Sequence, residues 1–271
     1  MIAVITGGAR GIGRELAKDL IARGYDVVIG DLDLGATDAT ARELGDHATA
    51  MRLDVTDRTL IAATIAHVES TLGPIELWIN NAGIMPTGRF SDQPIELSRA
   101  IIEIDYVSVV EATRAILPVM LARGHGTIVN MASATGMKPL AGLAAYSGAK
   151  AAVIGFSAAL HRELRRTGVR VMVVSPNMVR TAMGAGITPP AISGSISAAA
   201  VSKATIRGLA SGRFHVIVPR RFAVILRLFT NLPLSWQDWI DDRADSDRIG
   251  LGGDPAERAK YLAGVLPTAK R

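Results

Sequence analysis

The chain has 271 residues, and its 49% hydrophobic content suffices for a large core. It carries a net charge of +5 and no cysteine, which excludes disulfides, thiolate catalysis and cysteine-ligated zinc. His47, His67, His125, His161 and His215 are scattered without metal-ligand spacing, and no run reaches the ~18 apolar residues of a membrane span.

Ile2-Ala3-Val4-Ile5 is a short apolar run suited to a buried parallel strand. A chain that opens directly into a strand leaves no room for a signal peptide, so cytoplasmic residence is the expectation. Thr6-Gly7-Gly8-Ala9-Arg10-Gly11-Ile12-Gly13 follows, and then a helical pattern over 11–23. Strand, glycine turn and helix together make a pyrophosphate cradle: the glycines let an anion approach the backbone, and the helix N-terminus offers free N–H groups. The second strand, 26–31, ends at Asp31, 18 residues past Gly13, where an acid meets the adenosine ribose. A carboxylate there accepts from both ribose hydroxyls and repels a 2′-phosphate, favouring NAD over NADP. Arg10 pulls the other way, since a guanidinium binds that phosphate; the weight goes to Asp31 because of its position. Asp33 reads as a solvated loop residue.

The alternation continues with helices near 57–72, 98–122 and 144–166. Strands fall at Met51-Arg52-Leu53 and near 76–80, 126–132 and 169–175, and Val216-Ile217-Val218-Pro219 is the last. This predicts an α/β fold, a Rossmann-like doubly wound parallel sheet with ligands outside the strand C-termini. Thr6, Asp31, Asp54, Asn81, Ser133 and Pro176 all fall at such ends. A single domain is expected, with a core over 1–183 and a substrate flap and C-terminal extension over 184–271. Gly194 to Ala200, rich in small residues, reads as a mobile part of that flap.

Tyr146 and Lys150 stand four residues apart, so one helix puts both on the same face. An ammonium beside a phenol stabilises the phenolate and brings down a pKa that is otherwise about 10. A tyrosine so tuned exchanges a proton with an alcohol or ketone near neutral pH.

With T-G-x-x-x-G-x-G at Thr6 to Gly13, Asn80-Asn81-Ala82-Gly83, Ser133, and Tyr146-x-x-x-Lys150, the chain resembles the short-chain dehydrogenase/reductase family from about residue 2 to 183. The resemblance implies reversible alcohol–carbonyl oxidoreduction with NAD(H). Tyr146 would be the acid–base group, Lys150 would tune it and bind the nicotinamide ribose, and Ser133 would hold the substrate oxygen. It further implies that Asp54 and Val55 contact the adenine and that Asn81-Ala82-Gly83 borders the cofactor. The loop from Pro176, through Val179 and Thr181, would hold the nicotinamide amide. Two positions depart from the family pattern. Asp105 stands where Asn usually anchors a water of the proton relay, and its charge would raise the Tyr146 pKa against Lys150. Asn177 stands where Gly usually follows Pro176, and Asn tolerates left-handed backbone better than most residues, so the loop is expected to survive the change. The resemblance also implies a homodimer or homotetramer paired through the helices near 98–122 and 144–166.

No acid occurs between Glu163 and Asp238, while Arg165, Arg166, Arg170, Arg180, Lys203, Arg207, Arg213, Arg220, Arg221 and Arg227 do. The apolar, basic segment Arg220 to Phe229 has three readings: a helix packed on the subunit or a neighbour, a lid over a hydrophobic pocket, or a surface helix touching anionic membrane. Nucleic acid is disfavoured, because aromatics are only 4% and are not interleaved with the basic residues. The apolar stretch Ala182 to Ile187 and the segment 222–229 favour a hydrophobic alcohol or ketone, steroid-, retinoid- or lipid-like. An NADPH-dependent ketone or 3-oxoacyl reductase and a non-catalytic cofactor-binding protein are the alternatives. Residues 231–271 carry no chemistry that can be read, although Trp236 and Trp239 suit a cap over the substrate site or an interface.

Overall fold

Strands joined by helical crossovers pair in parallel, because each crossover returns the chain to the same end of the sheet. The computed structural model, which describes residues 1–188 and 194–265, has this architecture. Its elements run β1 (Ile2–Thr6), α1 (Gly11–Ile21), β2 (Asp26–Asp31), α2 (Leu34–Leu44), β3 (Ala48–Arg52), α3 (Arg58–Thr71) and β4 (Ile75–Asn80). Then come α4 (Ile95–Ile102), α5 (Ser108–Arg123), β5 (Gly126–Met131), α6 (Ala144–Glu163), β6 (Val169–Pro176), β7 (Val179–Arg180) and β8 (Ile196–Ser197). The chain continues through α7 (Ala198–Ala210), β9 (His215–Val218), α8 (Arg220–Phe229), α9 (Leu234–Ala244), α10 (Arg248–Leu251) and α11 (Pro255–Val265).

The main sheet has the order β3-β2-β1-β4-β5-β6-β9, and every pairing is parallel. Strand order reverses between β1 and β4, which opens a crevice at their C-terminal ends. Strands buried on both faces need apolar residues on both. Ala3, Ile5, Val27 and Ile29 pack with Leu16, Ala17 and Leu20 of α1 on one side. Val4, Val28, Trp78 and Ile128 pack with Ile61, Ile65, Ile116 and Met120 on the other. Each such side chain contributes about 1.5–3 kcal/mol when fully buried.

Four differences from the sequence reading have local causes. α2 escapes a periodicity search because only Thr37, Thr40 and Ala41 are buried along it; Asp33 starts it, accepting from Ala36 N at 3.0 Å, and so is a cap rather than a solvated loop residue. The small-residue stretch after Gly194 is anchored: β8 pairs with β7, Ser197 caps α7, and Ser202 donates to Glu15 O at 3.0 Å. The helix read over 98–122 is α4 and α5 joined by a π turn, Glu103–Val107. Asn177 is not left-handed; the non-glycine residues of positive φ among those described are Arg166 and Asp245. Residues 189–193 of the flap and 266–271 of the extension lie outside the described residues, as does the Arg227 side chain.

Candidate active site

Gly7 turns the chain at the switch point with φ +62°, and a methyl on it would lie 2.8 Å from the Ala82 Cα. Gly13 is tighter still: its methyl would lie 2.4 Å from the Gly7 carbonyl oxygen. Neither position has room for a side chain. Asn81 joins the two loops, donating from Nδ2 to Thr6 O at 3.0 Å and to Gly7 O at 2.8 Å. Thr6 Oγ1 accepts from Asn81 N at 3.0 Å and from Ala82 N at 3.1 Å. The first turn of α1 has no acid and no side-chain cap, leaving its N–H groups for a phosphate. The loop therefore fits the diphosphate of a dinucleotide.

Asp31 ends β2 beside this loop and accepts from Ala9 N at 3.1 Å. Arg10 does not reach into the crevice; its guanidinium pairs with Asp33. Thr181 comes within 3.2 Å of where a Gly11 methyl would be, so the loop after β6 abuts the glycine turn. Pro176 is the last residue of β6, and Val179 packs on the same apolar cluster as Ile12. Asp54 lies past the end of β3, and its Oδ1 accepts from Thr56 N at 2.9 Å and Thr56 Oγ1 at 2.7 Å, leaving Val55 at the turn between them.

Ser133, Tyr146, Lys150 and Asp105 are brought together from three elements. After β5, Ser133 caps a short 3-10 turn, accepting from Thr135 N at 3.2 Å and Thr135 Oγ1 at 3.0 Å. Gly136 of that turn rests on α6: a methyl there would lie 2.7 Å from the Lys150 carbonyl carbon. This close approach sets Ser133 against Tyr146. A buried chain from Trp78 Nε1 through Asn80 and Asn130 to Ser157 ties β4, β5 and α6 together, with links of 2.7, 2.8 and 2.8 Å. Tyr146, Lys150 and Asp105 are 6%, 4% and 0% exposed. Lys150 Nζ donates to Met131 O at 3.1 Å and lies 3.1 Å from Asp105 Oδ2, a charge contact rather than a well-directed hydrogen bond. Asp105 Oδ1 accepts from Ile84 N at 2.7 Å. The π turn carries Asp105 under Gly83, whose methyl would lie 3.3 Å from both carboxylate oxygens and 3.4 Å from Nζ.

Burial pushes the Tyr146 phenol well above its ordinary value; the Asp105 charge adds to this, and a hydrogen bond with Ser133 opposes it. Burial also raises the Asp105 carboxyl, against the pull of Lys150 and Ile84 N–H. The Tyr–Lys spacing predicts the reverse for the phenol. The difference arises first because burial of the phenol opposes its charged form, and then because Asp105, which the ammonium faces, adds its own charge, with Nζ 5.7 Å from the Tyr146 ring centroid. The expectation that Asp105 would raise the phenol agrees with the structure.

Sequence reasoning missed the C-terminal contribution. Tyr261 of α11 accepts from Met85 N at 3.1 Å, and burial pushes its phenol up to about 12. Arg258, 5% exposed, donates to Met85 O, to Met183 O at 2.7 Å, to Ala185 O at 3.2 Å and to Thr87 Oγ1 at 3.1 Å. Burial lowers its pKa, and the Tyr261 phenol opposes this. One guanidinium thus ties the loop after β4 to the segment after β7. The readable signal was Asp254-Pro255, a cap followed by proline, with Arg258 and Tyr261 three residues apart on one face. Arg258→Ala is expected to destabilise the fold by about 1.5–3 kcal/mol per charged hydrogen bond not replaced by water. Thermal unfolding measures it, and an unchanged Tm would refute the role of Arg258 as a tie.

The model of the family described as short chain dehydrogenase matches residues 1–191. The 3-oxoacyl-[acyl-carrier-protein] reductase FabG of Escherichia coli K12 is 34% identical over 182 residues, covering 67% of this chain and 75% of its own. The ketoacyl reductase HetN of Nostoc is 32% identical over 221 residues, covering 79% and 77%. A short chain dehydrogenase/reductase from Burkholderia phymatum, solved in complex with NAD, has the same fold, with TM-score 0.76 at 24% identity over 84% of this chain and 92% of its own. A glycine turn braced by the Asn81 turn at the strand-order switch point and a family match over most of the chain lead to one assignment: the chain belongs to the short chain dehydrogenase family and is an NAD(P)-dependent oxidoreductase acting on CH–OH groups.

Proposed function

We propose that the protein interconverts a ketone and a secondary alcohol on a hydrophobic, lipid-like substrate with NAD(H), and that its resting site favours carbonyl reduction at neutral pH. The observation that carries this is a buried Tyr146 phenol kept protonated beside Ser133. With the diphosphate held at the glycine loop and the nicotinamide at the loop after β6, the cofactor would supply the hydride. Ser133 Oγ–H holds the carbonyl oxygen and offsets the charge that develops on it. Tyr146 Oη passes its proton to that oxygen and is left as phenolate. Lys150 serves the nicotinamide ribose, and Asp105 holds the ammonium in place. Alcohol oxidation needs the phenolate first, so its rate rises with pH.

Asp31 supports NAD, and so does the engagement of Arg10 with Asp33, which takes up the charge a 2′-phosphate would need. NADH is expected to bind more tightly than NADPH, and Asp31→Ala to narrow the gap by about tenfold, the equivalent of about 1.4 kcal/mol. Titration followed by nicotinamide fluorescence tests both; tighter NADPH binding by the native protein would overturn the reading.

Met178, Met183, Ile187, Leu140 and Leu262 form an apolar cluster with Tyr146, which supports a hydrophobic substrate. The reactions named for FabG and HetN favour a second reading, reduction of a 3-oxoacyl chain. Rates on a steroid-like ketone and on a 3-oxoacyl thioester separate the two. The same reading has 1–183 as the core of a single domain. It includes a cytoplasmic homodimer or homotetramer paired through the α4–α5 stretch and α6, for which light scattering should give a multiple of 28.6 kDa.

A further inference from the structure

Exposed large apolar side chains crowd onto two consecutive helices. Val224, Ile225 and Leu228 of α8 are 62%, 56% and 68% exposed, and Leu234, Trp236 and Trp239 of α9 are 72%, 62% and 57%. Single exposed apolar residues are ordinary, but a cluster of this size marks a contact surface. α8 has two apolar faces. Leu226 and Phe229 are buried, and Phe229 lies under Lys138 Nζ at 4.9 Å. Val224, Ile225 and Leu228 point outward, with Arg221 one turn earlier on their side.

Charge indicates what covers this surface. Arg220 and Arg221 are exposed in the first turn of α8, which holds no acid. Cations there oppose the helix dipole, so helix stability does not explain them. On α9 the stripe of Trp236 and Trp239 continues to Arg243, whose guanidinium stacks on Trp239 at 4.6 Å. Of the acids of α9, Asp241 is half-buried and paired with Lys138 at 2.6 Å, while Asp238 and Asp242 are exposed; the exposed Arg220, Arg221 and Arg243 of the two helices outnumber them. Tryptophan flanked by arginine suits the boundary between water and lipid headgroups. No described helix is long and apolar enough to cross a membrane. We propose that the outer face of α8 and α9 docks on the headgroup region of an anionic lipid bilayer, lying in its surface.

The test is cosedimentation of the full chain with vesicles of phosphatidylcholine alone and of phosphatidylcholine mixed with phosphatidylglycerol, alongside tryptophan emission. Trp78 is fully buried, so a blue shift reports Trp236 and Trp239. Binding to the mixed vesicles is expected to be at least about tenfold tighter and to weaken with salt. Arg221→Gln should weaken it about fivefold, matching about 1 kcal/mol per basic residue. Leu228→Glu should abolish it, with unchanged circular dichroism showing that the variant folds. Equal binding to both vesicles, or binding to neither, would overturn the proposal. So would native protein that ignores vesicles but whose mass by light scattering falls in Leu228→Glu, since the face would then belong to a second copy of the chain.

Discussion

Tyr146→Phe is expected to lower turnover in both directions by about 10²–10⁴-fold, the contribution of a positioned acid or base, while leaving NADH affinity unchanged. The separation follows from the geometry. Tyr146 is 6% exposed and packs among Ile84, Met85, Leu97 and Leu143, so phenylalanine fills nearly the same space. Ser133 keeps its hydrogen bonds with Thr135, so its loop does not depend on the lost hydroxyl. The glycine loop is held by Thr6 and Asn81, which Tyr146 does not support. Steady-state rates and a parallel NADH titration measure the two effects. A phenylalanine variant with more than about a tenth of native turnover would remove Tyr146 from the proton-transfer step.

Asp105→Asn is expected to move the pH profile of alcohol oxidation to lower pH. The sign follows from the causes of the phenol's raised pKa. Burial comes first and persists in the variant, but the second cause is the Asp105 charge, which asparagine removes. The Lys150 ammonium, no longer facing a carboxylate, then favours the phenolate as well. Both changes bring the phenol down, and each ~1.4 kcal/mol of removed repulsion gives about tenfold more phenolate at neutral pH. Asparagine still offers an oxygen to Ile84 N–H, so the loop after β4 keeps its anchor. Ketone reduction starts from a phenol already protonated at neutral pH, so its profile there should change little. A uniform loss of rate in both directions, with the oxidation profile unmoved, would show that Asp105 only packs.

The two predictions differ in how far the sequence reveals them. The glycine turn, Asp31, the Asn81 turn, Ser133 and the Tyr146–Lys150 pair are legible because each sits at a strand end or on one helix face. There, short-range rules of period and spacing place a side chain without knowledge of its neighbours. α2 is illegible for the same reason inverted: it buries two threonines and an alanine, which carry little periodic signal, and in α7 the buried Val201 and Ile206 are diluted by Ser202, Thr205 and Gly208.

By itself the sequence determines the parallel α/β order and the crevice at its switch point, and it singles out the groups proposed to react, Ser133, Tyr146 and Lys150, since these follow from local pattern. Only the tertiary structure decides their electrostatics. A π turn has no sequence period, yet it brings Asp105 to 3.1 Å from Lys150, so that the ammonium beside the Tyr146 ring is shared with a buried carboxylate. The pairing of Arg10 with Asp33, and the reach of Arg258 across 173 residues to Met85, likewise join groups that the sequence keeps apart. Charge interactions depend on distance and burial in three dimensions, and spacing along the chain specifies neither.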